Sequence, residues 1–161
     1  MTFDAFLQAI ADSALSQAMG AHHWVTPALQ TVHILAIATV MAAVLVIDLR
    51  LLGVGGRDGG FPLFARRYTP WIWRALIVLL ATGALLVIGE PARSLKNPVF
   101  LAKMAMVLSV VSLTAFAQRP IRAAVEAGPG APLPGFTKPF AAASLALWVA
   151  IVFAGRWIAY V

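Results

Sequence analysis

His33 sits inside a long apolar run, in step with Thr26, Gln30, Ile37, Val40, Val44 and Asp48. At about 100° per residue these positions fall within about 60° of the histidine, so a helix gathers them on one face. Lys103, Val107, Val110, Thr114 and Gln118 form a second stripe of the same kind. An ionisable side chain surrounded by apolar sequence is costly unless it faces protein or a cavity. The two stripes are therefore expected to look toward each other. Three roles stay open for the imidazole. It can be an axial ligand of a b-type haem, a copper ligand grouped with Met41, Met104 and Met106, or an interhelical hydrogen-bond partner with no cofactor. The methionines read more simply as packing residues.

Other polar residues are expected at the same end of the helices. His22 and His23 precede the His33 run, Glu90, Arg93 and Lys96 follow the second apolar run, and Arg156 closes the last. On the haem reading His33 is the first axial ligand and His22 or His23 are candidates for the second. Arg93, Lys96 or Arg156 would meet the propionates, and Lys103 with Glu90 would tune the pocket. Gln30, one turn from His33, is placed to hold its second ring nitrogen. At the other end Asp48 and Arg74, with Arg50 close by, read as a structural ion pair locking two helices.

Several chemistries are excluded. The chain has no cysteine, which rules out thiolate ligands, iron–sulfur clusters and covalent c-type haem. No Ser/His/Asp spacing or metalloprotease motif appears. The glycine-rich stretch 53–60 lacks the Lys-Ser/Thr ending and the preceding strand of a phosphate loop, and reads as a flexible cytoplasmic turn. Residues 128–135 read as a short irregular linker.

The elements that must position these residues follow from composition. Of 161 residues 61% are hydrophobic and 11% charged, against a soluble norm of about 45–50% and about 25%. One domain of this length has no interior large enough for that much apolar surface. The expected fold is all-α, an integral membrane four-helix bundle in a single domain. Crossing a hydrocarbon core of about 30 Å takes about 20 helical residues, and four runs suffice, near 27–50, 70–89, 98–118 and 139–160. Gly53, Pro91 and Pro120 are the expected stops of the first three. Residues 2–20 read as an amphipathic helix lying in the interface, with Phe3, Phe6, Leu7, Ile10 and Leu15 on one side. Trp24, Trp71, Trp73 and Trp157 stand near proposed ends, as an aromatic belt requires.

The net charge of +6 belongs to topology and anionic headgroups rather than to a nucleic-acid partner. Arg50, Arg57, Arg66, Arg67, Arg74, Arg119, Arg122 and Lys138 lie in and beside two loops, against Arg93 and Lys96 in the short loop opposite. Both termini are expected outside the cytoplasm. Reporter fusions after Arg57 and after Pro132 should both read as cytoplasmic, and an external signal from either overturns this assignment of spans.

The run His33-Ile34-Leu35-Ala36-Ile37-Ala38, followed by Asp48-Leu49-Arg50-Leu51-Leu52-Gly53, resembles an uncharacterised family of bacterial four-span membrane proteins. The resemblance continues through Thr82-Gly83 and through Asn97-Pro98-Val99-Phe100-Leu101-Ala102-Lys103-Met104. More distantly the order is similar to the copper-resistance protein D family and to the haem-binding four-helix membrane protoporphyrinogen oxidases. In those, a first-span His, a second-span Thr-Gly or Gly and a third-span Lys recur in that order. The resemblance implies a haem-ligand role for His33, with Lys103 as the counterpart of the third-span lysine, in a protein of the bacterial inner membrane. The further histidines and the Asn-Glu-Pro segment of the porphyrinogen-oxidising proteins are missing, so their activity is not implied. The functional expectation is a small redox protein binding b-type haem. Its rivals are a copper-handling protein and an accessory subunit without a cofactor, the latter bound to other membrane subunits or to its own copies.

Overall fold

A computed structural model of the chain describes residues 2–54, 61–128 and 132–160, with the side chains of 61–66 and of residue 159 left aside. Residues 55–60 of the glycine-rich stretch and 129–131 of the linker lie outside the described residues. Among those described there is no strand. Helix α1 is Phe3–Ala11 and α2 is Ala14–Ala21. The spans are α3 (Val25–Leu52), α4 (Phe61–Gly89), α6 (Pro98–Glu126) and α7 (Thr137–Trp157), with a short α5 (Pro91–Leu95) between α4 and α6. A 3-10 turn, Ile158–Tyr160, follows α7. Four helices are long and apolar enough to cross a bilayer, with the α4 span counted from Arg67 to Gly89. The protein is a multi-pass membrane bundle of the expected class.

Boundaries differ from the sequence reading in three places. The N-terminal helix is two helices, because Asp12 closes the first and the Ser13 hydroxyl accepts from Ser16 N–H to start the second. Such a cap stabilises a new helix start more than a continued turn would. Pro70 and Pro120 lie inside α4 and α6 rather than at a start and a stop. A proline removes one N–H and crowds the preceding turn, but the helices run on through both. Pro91 and Pro98 instead occupy first-turn positions, where the missing N–H has no partner to lose. Asn97 caps α6, its side-chain oxygen accepting from Val99 and Phe100 N–H.

α3 packs most extensively on α4, and α6 on α7; α3 and α7 join the two pairs, whereas α4 and α6 meet only over a short stretch. The bundle is thus two hairpins on an α3–α7 spine. Val40 from α3 and Val110 from α6, both fully buried, share one core with Ile72, Leu76, Trp148 and Ile151. The two polar stripes converge on this axis from diagonal helices, as their spacing predicts. Met41 and Met106 pack against the same core. Both described termini and α5 stand at one end, called here the terminal end; the connections after α3 and α6 mark the loop end. At the terminal end α1 and α2 dock on α4 and α5, where Met19 fills the space left by the missing side chain of Gly89.

Candidate functional site

Thr82 is buried at mid-helix in α4, and its hydroxyl donates to the Val78 carbonyl one turn back at 2.7 Å. Threonine makes this bond readily within a helix. A hydroxyl has one hydrogen and two lone pairs, so Thr82 Oγ1 meets His33 as an acceptor. His33 Nδ1–H donates to it at 2.7 Å. In the neutral ring this fixes the tautomer, and Nε2 carries a lone pair with no hydrogen-bond partner among the described residues. The next residue is Gly83, and the ring Cε1 lies 3.5 Å from the point a Cβ there would occupy. The His33 ring therefore lies flush on α4.

Lys103 comes from α6 to the same level, close enough to act electrostatically on His33. Its Nζ lies 3.6 Å from where a Cβ of Gly155 would stand on α7. All four spans thus contribute: an imidazole, a threonine–glycine pair, an ammonium and a second glycine.

Other expected members are placed differently. Gln30 is exposed and makes no bond to His33 among the described residues; Thr82 holds the ring nitrogen instead. His22 Nδ1 bonds the Ala18 carbonyl at 3.0 Å, and its ring meets Trp24 edge-on. His22 and His23 are both exposed, and no described contact joins either to His33. Glu90 pairs with Arg93 at 2.9 Å, and Lys96 pairs with Asp4 at 2.7 Å. Arg156 donates to the Tyr160 hydroxyl at 2.6 Å and stands over its ring. These cations are engaged, though exposed ion pairs are worth only about 0–1 kcal/mol and exchange partners easily. Among the described residues no three His, Asp or Glu side chains gather as a metal-ligand set.

At the loop end the expected Asp48–Arg74 ion pair does not form. Ile72, Ala75 and Leu76 take the inward face of α4, which turns Arg74 to the exposed side. Asp48 is buried, and Ser144 on α7 stands beside its carboxylate. Around it the four spans leave a cleft of about 390 Å³ that Asp48, Ser144 and Trp148 help to line. Among the described residues Asp48 Oδ2 and Trp148 Nε1, both sealed from solvent, have no hydrogen-bond partner. Ser144 and Trp148 went unnoticed in the sequence. Their signal is a third inward stripe, Ala141, Ser144, Trp148 and Ile151, all buried on α7.

The model of the family DUF6644, a family of unknown function, matches residues 14–161. No curated protein and no solved structure matches the chain. The likeness to the copper-resistance and protoporphyrinogen-oxidising families therefore gains no support from these comparisons.

Proposed function

The chain belongs to DUF6644, and from its own site we propose a small membrane redox protein that holds a b-type haem through His33. The supporting observation is the Thr82 bond, which holds Nδ1–H and leaves Nε2 as a bare lone pair. Ligating histidines are held in this way, the far nitrogen donating to a fixed acceptor that sets the tautomer and ring orientation. Haem iron asks for one or two protein ligands, which suits a single oriented imidazole. Copper asks for several soft or imidazole ligands together, and among the described residues no three His, Cys, Asp or Glu side chains gather.

The residues present fit a haem on one side. His33 would ligate, Lys103 would supply a cation beside the ring, and Arg93, Lys96 and Arg156 at the terminal end are exposed and able to exchange partners toward propionates. Glu90 would act by holding Arg93. His22 and His23 are the remaining imidazoles at that end, and reaching the iron would require them to leave their present surroundings. Bound there, a haem supplies one-electron chemistry, and the bundle supplies orientation and a low-dielectric wall. The Lys/Arg bias supports placing this end at the outer face of a bacterial inner membrane.

The test is the absorption spectrum of protein purified from haem-replete cells, oxidised and reduced, with haem and metal counted per chain. An intense Soret band with close to one haem per chain is expected. A copper-loaded, haem-free protein would overturn the reading in favour of metal handling. A colourless, metal-free and stable protein would overturn it in favour of the accessory subunit.

A further inference from the structure

The cleft at the loop end has no part in the haem reading, and its length is that of one bilayer leaflet. On α6 its lining runs from Val111 to Glu126, while Val44, Leu76 and Trp148 are the lining residues furthest from the loops on the other spans. From Val111 to Arg122 the helix rises by about 16 Å, close to half of a hydrocarbon core of about 30 Å. Pro98, where α6 starts, lies about 20 Å away in the other direction. The deep end thus stands near mid-membrane, and the mouth, at Arg122 and Glu126, near the headgroups. A gap of about 390 Å³ at that depth needs a filler. Wall atoms facing a void lose their dispersion partners, and water gains nothing from Val, Leu and Ile side chains. Where α4 and α6 meet only over a short stretch, an acyl chain can enter sideways.

The chain itself brings little selectivity, because lipid tails are as apolar as leucine. Selection falls to the polar groups at the mouth. There Arg122 Nε donates to Glu126 Oε1 at 2.8 Å, and both side chains are exposed. Exposed pairs of this kind are weak, so each member exchanges its partner readily. The pair sets a cation beside an anion. Its complement is a head that sets an anion beside a cation with N–H donors. Phosphate suits the guanidinium, which takes two of its oxygens at once, and a primary ammonium suits the carboxylate. A choline head carries its positive charge without an N–H, and a glycerol head has no cation, so either leaves Glu126 unpaired next to a phosphate.

We propose that this cleft holds one phospholipid with a phosphoethanolamine head, drawn from the leaflet at the loop end. One acyl chain lies along the apolar wall toward Val111, the phosphate meets Arg122, and the ammonium meets Glu126.

The test counts lipids on the full-length protein by native mass spectrometry. Delipidated protein in detergent is titrated with phosphatidylethanolamine, phosphatidylcholine and phosphatidylglycerol of identical chains. One phosphatidylethanolamine per protein is expected to be retained, about tenfold more tightly than either of the others, as one charge-assisted hydrogen bond allows. Glu126→Gln should bring phosphatidylethanolamine down to the level of phosphatidylcholine, and Arg122→Gln should weaken all three. Both residues are exposed, so these variants keep the fold and carry the test by themselves. Ile121→Trp, which puts a ring into the cleft that Ile121 lines, should remove the retained lipid whatever its head. Glycerophosphoethanolamine, the head without its chains, should not bind measurably. Equal retention of the three lipids overturns the head assignment. An adduct that survives in folded Ile121→Trp places the lipid outside the cleft, and binding of the bare head as tightly as the lipid points to a soluble phosphate compound instead. No retained lipid overturns the proposal outright. Lipid is counted separately from haem, so the result stands whether or not His33 holds iron.

Discussion

Replacing His33 by alanine is expected to abolish the Soret band of the purified protein while the bundle stays folded. The side chain is half-buried and its one described hydrogen bond is to Thr82, so its loss leaves the Val40–Val110 core intact. Thr82 keeps its bond to the Val78 carbonyl after the change, so no buried hydroxyl is orphaned. Thr82→Val should act on the same site more gently. It keeps the shape of the side chain, removes the acceptor that fixes the ring, and should lower haem affinity by about 10–100-fold. Haem titration of the three proteins, with circular dichroism for helix content, checks both. If His33→Ala retains a full Soret band, iron is not held by this residue. If Thr82→Val binds haem as tightly as the wild type, the ring needs no holding and the tautomer argument fails.

Asp48→Leu should raise the stability of the ligand-free protein, against the usual direction of core substitutions. The carboxylate is buried with one oxygen unpaired, and an unsatisfied buried polar atom costs about 1–3 kcal/mol, more when charged. An apolar side chain there gives up the neighbouring Ser144 but removes the larger penalty. Thermal unfolding in detergent should show a higher midpoint for Asp48→Leu. The pair Asp48→Ala and Arg74→Ala should add within about 0.5 kcal/mol, as for sites that do not touch. A lower midpoint for Asp48→Leu would show that the carboxylate is fully satisfied in the folded protein. Strong coupling between Asp48 and Arg74 would show an ion pair where the structure has none.

The contrast between these two ends explains what could be read from the sequence. Four spans were legible because a bilayer imposes a length and an apolar composition on each crossing, and α3, α4, α6 and α7 meet both. The inward direction of His33, Val40, Asp48, Lys103 and Val110 was legible from helical spacing, which fixes the face a side chain occupies. Spacing says nothing about which neighbouring helix that face meets. Nearness to one boundary pairs Asp48 with Arg74, yet in the fold Ser144 of α7 stands beside the carboxylate while Arg74 turns outward. Nearness in sequence points to Gln30 as the residue holding His33, whereas the partner lies 49 residues away on α4. Thr82-Gly83 was legible as a motif but not as a contact. Pro120 reads as a stop by the usual effect of proline in helices, yet it lies inside α6.

The uneven packing of the four spans gives the bundle a stiff edge and a compliant one. Along the α3–α7 spine the side chains interlock, and any added volume there must compress its neighbours. Where α4 and α6 barely meet, few contacts have to break for the hairpins to part, so small excursions on that side are cheap. Lipid tails rather than protein then form part of the wall. A molecule dissolved in the bilayer can approach the interior sideways, without first crossing water, and the thickness and order of the surrounding lipid become variables of the protein's own structure.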